Sequence, residues 1–310
     1  MQANQLNGFL VAYSLKSLPQ FVSYAPYLTN FSTDFSADIA GGGTAVVTRL
    51  ATTAWAANRT DLNGYVQAPT TSSAVTVNLV QKDVTDAFSE LSWAASIPEV
   101  LINTFVPGQT MTLANTVAVD LISCLSGSSA SSFVASGSNV TYSSASYAAM
   151  KLDQAFVPRT NRTLIINPLA YQNLNLSLSP TYIYGQKEAV QEYENIRVAG
   201  FETYQFGGIS DAPYNVATSA TLASLGTGTL WNKFIGFGGH KAALAMAGRA
   251  PLEVNNNVVT AVNQTDETSG FSIQNRVSYL QTTGQYQLSS TAIYGVALGN
   301  AAGAVVIYHD

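Results

Sequence analysis

The clearest hydrophobic period lies in residues 110–125. Ala114, Val117, Ala118, Leu121, Ile122 and Leu125 recur at steps of three and four, which sets one apolar stripe along a helix. Gln109 or Thr110 can cap its start, and Ser126-Gly127 stops it. Residues 74–81 alternate instead. Val75, Val77 and Leu79 face one way while Thr76 and Asn78 face the other, the signature of a strand. Residues 44–52 (TAVVTRLAT) predict its partner, entered through Gly41, Gly42 and Gly43. The stretch between them, WAANRTDLNGYVQAPTTSS, is long for a hairpin loop and carries a turn signal at Asn63-Gly64. A long two-stranded arm has little core of its own, so it is expected to pack on something else.

The same reading covers the rest of the chain. Residues 1–40 show recurrent aromatic and aliphatic side chains without a clear period. Pro19 and Pro26 interrupt them, which predicts an extended arm or a short helix and loop. Residues 93–108 read as a short helical or looped connector and 146–156 as helix. Residues 163–166 read as a short strand, followed by a helix from Pro168 to about Asn173. Residues 196–206 and 232–237 read as strands. The Ala-rich segment 238–251 reads as a helix that Gly248 and Pro251 terminate. Residues 271–280 and 286–299 form a predicted β-hairpin around Thr283-Gly284, and 304–309 a last strand. Irregular alternation of strands and helices indicates an α+β fold without internal repeats.

Composition narrows the function. Of 310 residues, 47% are hydrophobic and only 10% charged, with Ser, Thr, Asn, Gln and Gly filling the surface. Few charges leave little repulsion between copies. That suits a protein covered by neighbours, and equally an extracellular β-rich adhesin or surface-layer protein. The net charge of −5 and the lack of a Lys/Arg run argue against sequence-specific nucleic-acid binding. No apolar run is long enough for a transmembrane helix, and no secretion signal is expected, because no basic leader precedes the first apolar stretch.

Candidate chemistry is sparse. Cys124 is the single cysteine, set among apolar residues, and reads as a small core residue; His240 and His309 are too few for a multi-histidine metal site. Gly236, Gly238 and Gly239 lie between a predicted strand and a predicted helix, where glycine-rich loops cradle phosphates. The segment lacks both the spaced glycine of a dinucleotide fingerprint and the Gly-Lys-Ser/Thr of a P-loop. A tight strand-to-helix turn is the simpler reading. Asp83, Asp86 and Glu90 sit beside Lys82 and read as a solvated face. No metal, cofactor or catalytic group is expected.

Element order then points to a family. An arm, a long two-stranded loop, a long helix, a compact α/β region, a long hairpin and a final strand follow one another. FGGHKAALAMAGRAP, IRVAGF and GFSIQNRVSYLQTTGQYQLSSTAIYGVALGNAAGAVVIYH occupy its second half. In that order and spacing the chain, from about residue 41 onward, resembles the major capsid proteins of tailed bacteriophages with the Hong Kong 97-like fold.

The resemblance implies an N-terminal arm at residues 1–40 and an extended E-loop hairpin at 41–92. It implies a P domain whose spine helix falls within 93–127 and whose β-hairpin is 256–298, an A domain at 128–255, and a final A-domain strand at 299–310. It implies intersubunit contacts by Trp55, Leu62, Tyr65 and Val66 at the E-loop tip and by Phe9, Tyr13, Phe21, Tyr24 and Tyr27 on the arm. The implied partners are further copies of the chain, in pentamers and hexamers. Scaffolding, portal and decoration proteins would join them around DNA enclosed without sequence-specific binding, and no membrane is involved. The implied location is the virion, after assembly in the host cytoplasm. No scaffolding domain precedes the arm in this sequence, so assembly is expected to use a separate scaffold or none.

Overall fold

A computed structural model describes residues 3–24, 28–39, 45–53, 70–90, 93, 98–125, 130–135, 140–178, 197–209, 234–252, 259–266 and 271–309. The fold is mixed α/β, with two sheets and a separate hairpin. The helices are α1 (Ala3–Tyr24), α2 (Leu28–Phe31), α3 (Pro98–Ser123), α4 (Tyr142–Gln154) and α5 (Pro168–Leu178). The first sheet takes strands β1 (Ser32–Asp34), β4 (Val80–Ser89), β10 (Leu244–Arg249), β11 (Val259–Thr265), β12 (Ser272–Leu280) and β13 (Gln285–Leu298). Its order is β1-β10-β13-β12-β11, and β4 lies along the first part of β13. The second sheet takes β5 (Ser131–Ala135), β6 (Arg162–Ile166), β7 (Arg197–Val198), β8 (Phe201–Gln205), β9 (Phe234–His240) and β14 (Ala304–His309), in the order β5-β14-β9-β6-β8-β7.

Long α3 lies between the sheets. Its stripe of Leu113, Ala114, Val117, Ala118, Leu121, Ile122 and Leu125 is buried against Ile273, Ala292 and Tyr294 of the first sheet. The same core takes in Ile165, Phe237 and Val306 of the second. Helices α4 and α5 cover the other face of the second sheet, where Ala148, Leu152, Tyr171 and Leu174 meet Leu164, Phe201 and Ile307.

The chain returns between the sheets through two short helical turns. Lys241–Ala243 joins β9 to β10, and Ala301–Gly303 joins β13 to β14. Each turn is capped the same way: His240 Nδ1 accepts from Ala242 N at 3.1 Å, and Asn300 Oδ1 accepts from Ala302 N at 3.1 Å. Gly299 N also donates to Ala243 O at 2.8 Å, tying the two turns together.

The predicted hairpin of residues 44–52 and 74–81 is present as β2 (Ala45–Thr53) paired antiparallel with β3 (Thr70–Asn78). Among the described residues no third strand joins it. Its base is held by Val77, fully buried on Ala245 and Ala247. The C-terminal hairpin is β12–β13 in regular register from Ile273↔Ala292 to Leu280↔Gln285.

Two expectations are corrected and one open alternative is decided. The N-terminal segment is helical from Ala3 to Tyr24 with Pro19 inside it, not an extended arm. An interior proline costs about 3 kcal/mol. Burying Leu10, Tyr13 and Phe21 returns roughly 1.5–3 kcal/mol each, so packing wins. Of the two readings open for the connector before residue 110, the helical one holds from Pro98, and it carries α3 through Pro107. The Ala-rich segment 244–249 is strand β10, not helix. It is covered on both faces, with Leu244 and Met246 in the main core and Ala245 and Ala247 under the hairpin base. Double-sided burial overrides the helix propensity of Ala and Met.

Candidate assembly surfaces

The positions weighed for chemistry have defined places in the fold. Gly236, Gly238 and Gly239 lie inside β9, and a three-residue helical turn, Lys241–Ala243, follows it in place of the predicted helix. A Cβ on Gly236 would come 2.3 Å from the Ile165 carbonyl oxygen: the glycine lets β9 and β6 approach. Asp86 accepts from Gln109 Nε2 at 2.7 Å, and Glu90 accepts from the Tyr279 hydroxyl. Of the three acids, Asp83 and Glu90 are exposed and Asp86 is half-buried, whereas Lys82 turns toward Asp120 at 3.7 Å.

Cys124 lies half-buried at the end of α3. Burial, then the charge of Asp120, pushes its thiol up to about 11, and it donates to the Asp120 carbonyl. It therefore stays protonated near neutral pH. Among the described residues no three His, Cys, Asp or Glu side chains gather as a metal site, and no helix is long and apolar enough to cross a membrane.

Exposed apolar side chains stand out instead. Val11 and Leu15 of α1, with Val100 and Met111 of α3, lie on the outside of the helical layer. Lys16 is the one charge of α1, and it donates to Asn103 of α3 at 2.8 Å. Tyr142, Tyr147 and Met150 of α4 are also exposed, Tyr147 edge-on to Phe133 at 5.0 Å, and Phe156 beyond the helix end is 96% exposed with φ 55. Beside it lies a cavity of about 600 Å³ between α4 and the β7–β8 turn, with Asp153, Arg159 and Arg162 in its wall.

Arg162, its side chain 2% exposed, bonds Asp153 at 2.7 Å and the carbonyls of Val157 and Pro158 just past the helix end. Hydrogen bonds from Arg162, then Arg159, hold the Asp153 carboxyl below its ordinary range. These contacts tie the end of α4 to the sheet. The sequence reading found α4 but not its exposed face; the spacing Tyr147–Met150 on one side of a predicted helix was the available signal.

No family model matches the chain, and no curated protein is similar in sequence. Solved structures are similar in fold. The capsid of the cyanophage P-SCSP1u is 12% identical with a TM-score of 0.60, covering 92% of this chain and 88% of that one. The mature capsid of bacteriophage PhiM1 gives 9%, 0.56, 92% and 87%. This chain has the fold of tailed-phage major capsid proteins. The capsid of a native GTA particle, at 10% identity and a TM-score of 0.51, covers 93% of this chain and 90% of its own.

Within this capsid fold the expected arm contacts need correction. Phe9, Tyr13 and Phe21 are buried in the subunit's own core. Phe9 packs edge-on to Trp93 at 5.5 Å, and Phe21 stacks on Phe271 at 4.7 Å. Tyr24 ends α1, and its side chain lies outside the described residues, as does Tyr27. Trp55, Leu62, Tyr65 and Val66 also lie outside them.

Proposed function

We propose that this chain is a major capsid protein that self-assembles into an icosahedral shell around the double-stranded DNA of a tailed phage. The observation that carries the reading is a capsid-protein fold matched over 92% of the chain and 88% of its counterpart. The role is structural, without catalysis or cofactor.

In this reading the hairpin β2–β3, with the residues between its strands, is the E-loop. The first sheet with α1 and α3 is the P domain, the second sheet with α4 and α5 is the A domain, and β14 returns to the latter. The boundary at residue 40 moves, because α1 packs as part of the P domain.

A low-charge surface with exposed apolar side chains on α1, α3 and α4 supports repeated contacts between copies. Pentamers and hexamers close through heterologous contacts, and many modest contacts per subunit make a durable shell. Scaffolding, portal and decoration proteins are the further partners, DNA is enclosed without sequence-specific binding, and assembly takes place in the host cytoplasm. Purified protein under assembly conditions, followed by light scattering and negative-stain microscopy, is expected to give closed particles or capsomers. A monodisperse monomer in every condition defeats the reading. Fibrils or sheets would favour the adhesin or surface-layer alternative.

A further inference from the structure

The core beneath the first sheet is not continuous. A layer of polar side chains crosses it at one level on five elements: Ser14 and Ser17 on α1, Asp86 on β4, Gln109 on α3, Asn275 on β12 and Ser290 on β13. On one side lie Phe9, Leu10, Val106, Val277 and Leu288. On the other lie Phe21, Leu113, Ile273 and Ala292. Each strand steps from one cluster through the layer to the other at two-residue spacing, as Val277, Asn275, Ile273 on β12 and Leu288, Ser290, Ala292 on β13.

Ser14, Ser17, Asn275 and Ser290 have no exposed surface, and Gln109 is 2% exposed. The layer is joined throughout. Asn275 Nδ2 donates to Ser17 Oγ at 2.7 Å and Ser14 Oγ at 3.0 Å. Tyr13 donates to Gln109 Oε1 at 2.7 Å, and Gln109 Nε2 donates to Asp86 at 2.7 Å and to the Leu288 carbonyl at 3.0 Å. Ser290 Oγ stands 2.8 Å from both Gln109 Oε1 and Asn275 Oδ1, so its single proton serves one of them at a time.

We propose that this layer is a register lock that fixes where α1 sits on the sheet and on α3. Apolar contact is non-directional. With aromatic side chains at both ends of its buried stripe, α1 could slide by a turn and still bury them. A slide of one turn, about 5.4 Å, carries Ser14 and Ser17 off Asn275 and Tyr13 off Gln109. It takes both acceptors from the Asn275 amide and the acceptor from the Tyr13 hydroxyl, and each orphaned group costs its full desolvation. Replacing a satisfied buried polar group by a well-packed apolar one is often neutral or favourable to stability, so what the layer supplies is uniqueness. The register also places Val11 and Leu15, and with them the outer surface of the helical layer. The lock itself does not rest on the capsid reading.

Short bismaleimide crosslinking of unassembled protein in a Cys124→Ala background tests it. Lys16→Cys with Asn103→Cys reports the observed register. Ala12→Cys or Gln20→Cys with Asn103→Cys reports slides of one turn either way. The parent is expected to crosslink through position 16 several-fold more than through 12 or 20. The apolar variant Tyr13→Phe, Ser14→Ala, Ser17→Ala, Gln109→Leu, Asn275→Leu, Ser290→Ala is expected to fold, with slid products rising to within about twofold of the in-register one. Retention of the parent's preference overturns the proposal. If that variant does not fold, Ser14→Ala with Ser17→Ala is read in the same assay. It is expected to raise the slid products at least twofold, and an unchanged pattern overturns the lock equally.

Discussion

At the scale of single residues, the capped turns between the sheets carry a pH signature. His240 must offer an unprotonated Nδ1 to Ala242 N–H, and burial, then the nearby Arg162, holds its pKa below the ordinary histidine value. The native state therefore favours neutral imidazole, while the unfolded chain titrates near ~6.5. The stabilisation is present above that pH and is lost as pH falls through the native pKa. His240→Asn should keep the cap, because Asn300 performs the same task on the neighbouring turn. Melting temperatures of parent and variant should run parallel above about pH 7 and diverge below ~6.5, with the parent falling faster. Parallel curves down to pH 5 would remove His240 from the account. A second, more acidic loss belongs to Asp153, whose depressed pKa gives stability present above the ordinary carboxylate value and lost below it. Asp153→Asn should flatten that limb alone. Gly236 gives a steric counterpart. A methyl there meets the Ile165 backbone at 2.3 Å, whereas one on Gly248 meets its nearest atom at an ordinary 3.5 Å. Gly236→Ala should cost about 3 kcal/mol in chemical denaturation, at the upper end of overpacking, and Gly248→Ala under about 1 kcal/mol.

Among the elements, one-sided patterns were legible, and so were the short apolar runs of β6 and β9 that are buried on both faces, whereas two-sided burial of helix-favouring residues was not. β3 and β12 alternate because one face is apolar, and residues 113–125 of α3 show their stripe because only that stripe is buried. Strand β10 is apolar on both faces and made of helix-favouring residues, so neither its period nor its composition pointed to a strand. Helix α1 was hidden by its own lock, since Ser14 and Ser17 interrupt the apolar stripe at the level where it is most deeply buried. Of the expected contact residues, Phe9, Tyr13 and Phe21 carry aromatic side chains for an internal reason, which sequence cannot separate from an external one. The hairpin base adds a constraint that no pattern reveals. Asn78, where β3 gives way to β4, passes so close to Gly295 of β13 that a Cβ there would lie 2.3 Å from its carbonyl oxygen. Gly295→Ala should push the hairpin base off the sheet. The expected result is a loss of roughly 1–3 kcal/mol in stability, with faster amide exchange in β3 than in β12. Uniform exchange in both strands would mean that the crossing tolerates the methyl group.

For the whole molecule, the hairpin β2–β3 raises the question of what covers its far end. Its base is anchored by Val77 on Ala245 and Ala247, and no third strand among the described residues extends beside it. Two strands alone are marginally stable in water. Residues 54–69 between them include Trp55, Leu62, Tyr65 and Val66, a concentration of apolar side chains that needs a surface. In the proposed shell that surface is an adjacent subunit. Trp55→Ala should then leave the melting of unassembled protein nearly unchanged, because the subunit core is built from α1, α3 and the two sheets. Its critical assembly concentration should rise by the equivalent of about 1–3 kcal/mol per contact if Trp55 is an anchor at the interface. The comparison is circular dichroism melting of dissociated protein against light-scattering onset over a concentration series. A lowered melting point with unaltered onset would put Trp55 in the subunit's own core and leave the hairpin without an intersubunit role, while the capsid fold of the two sheets would stand.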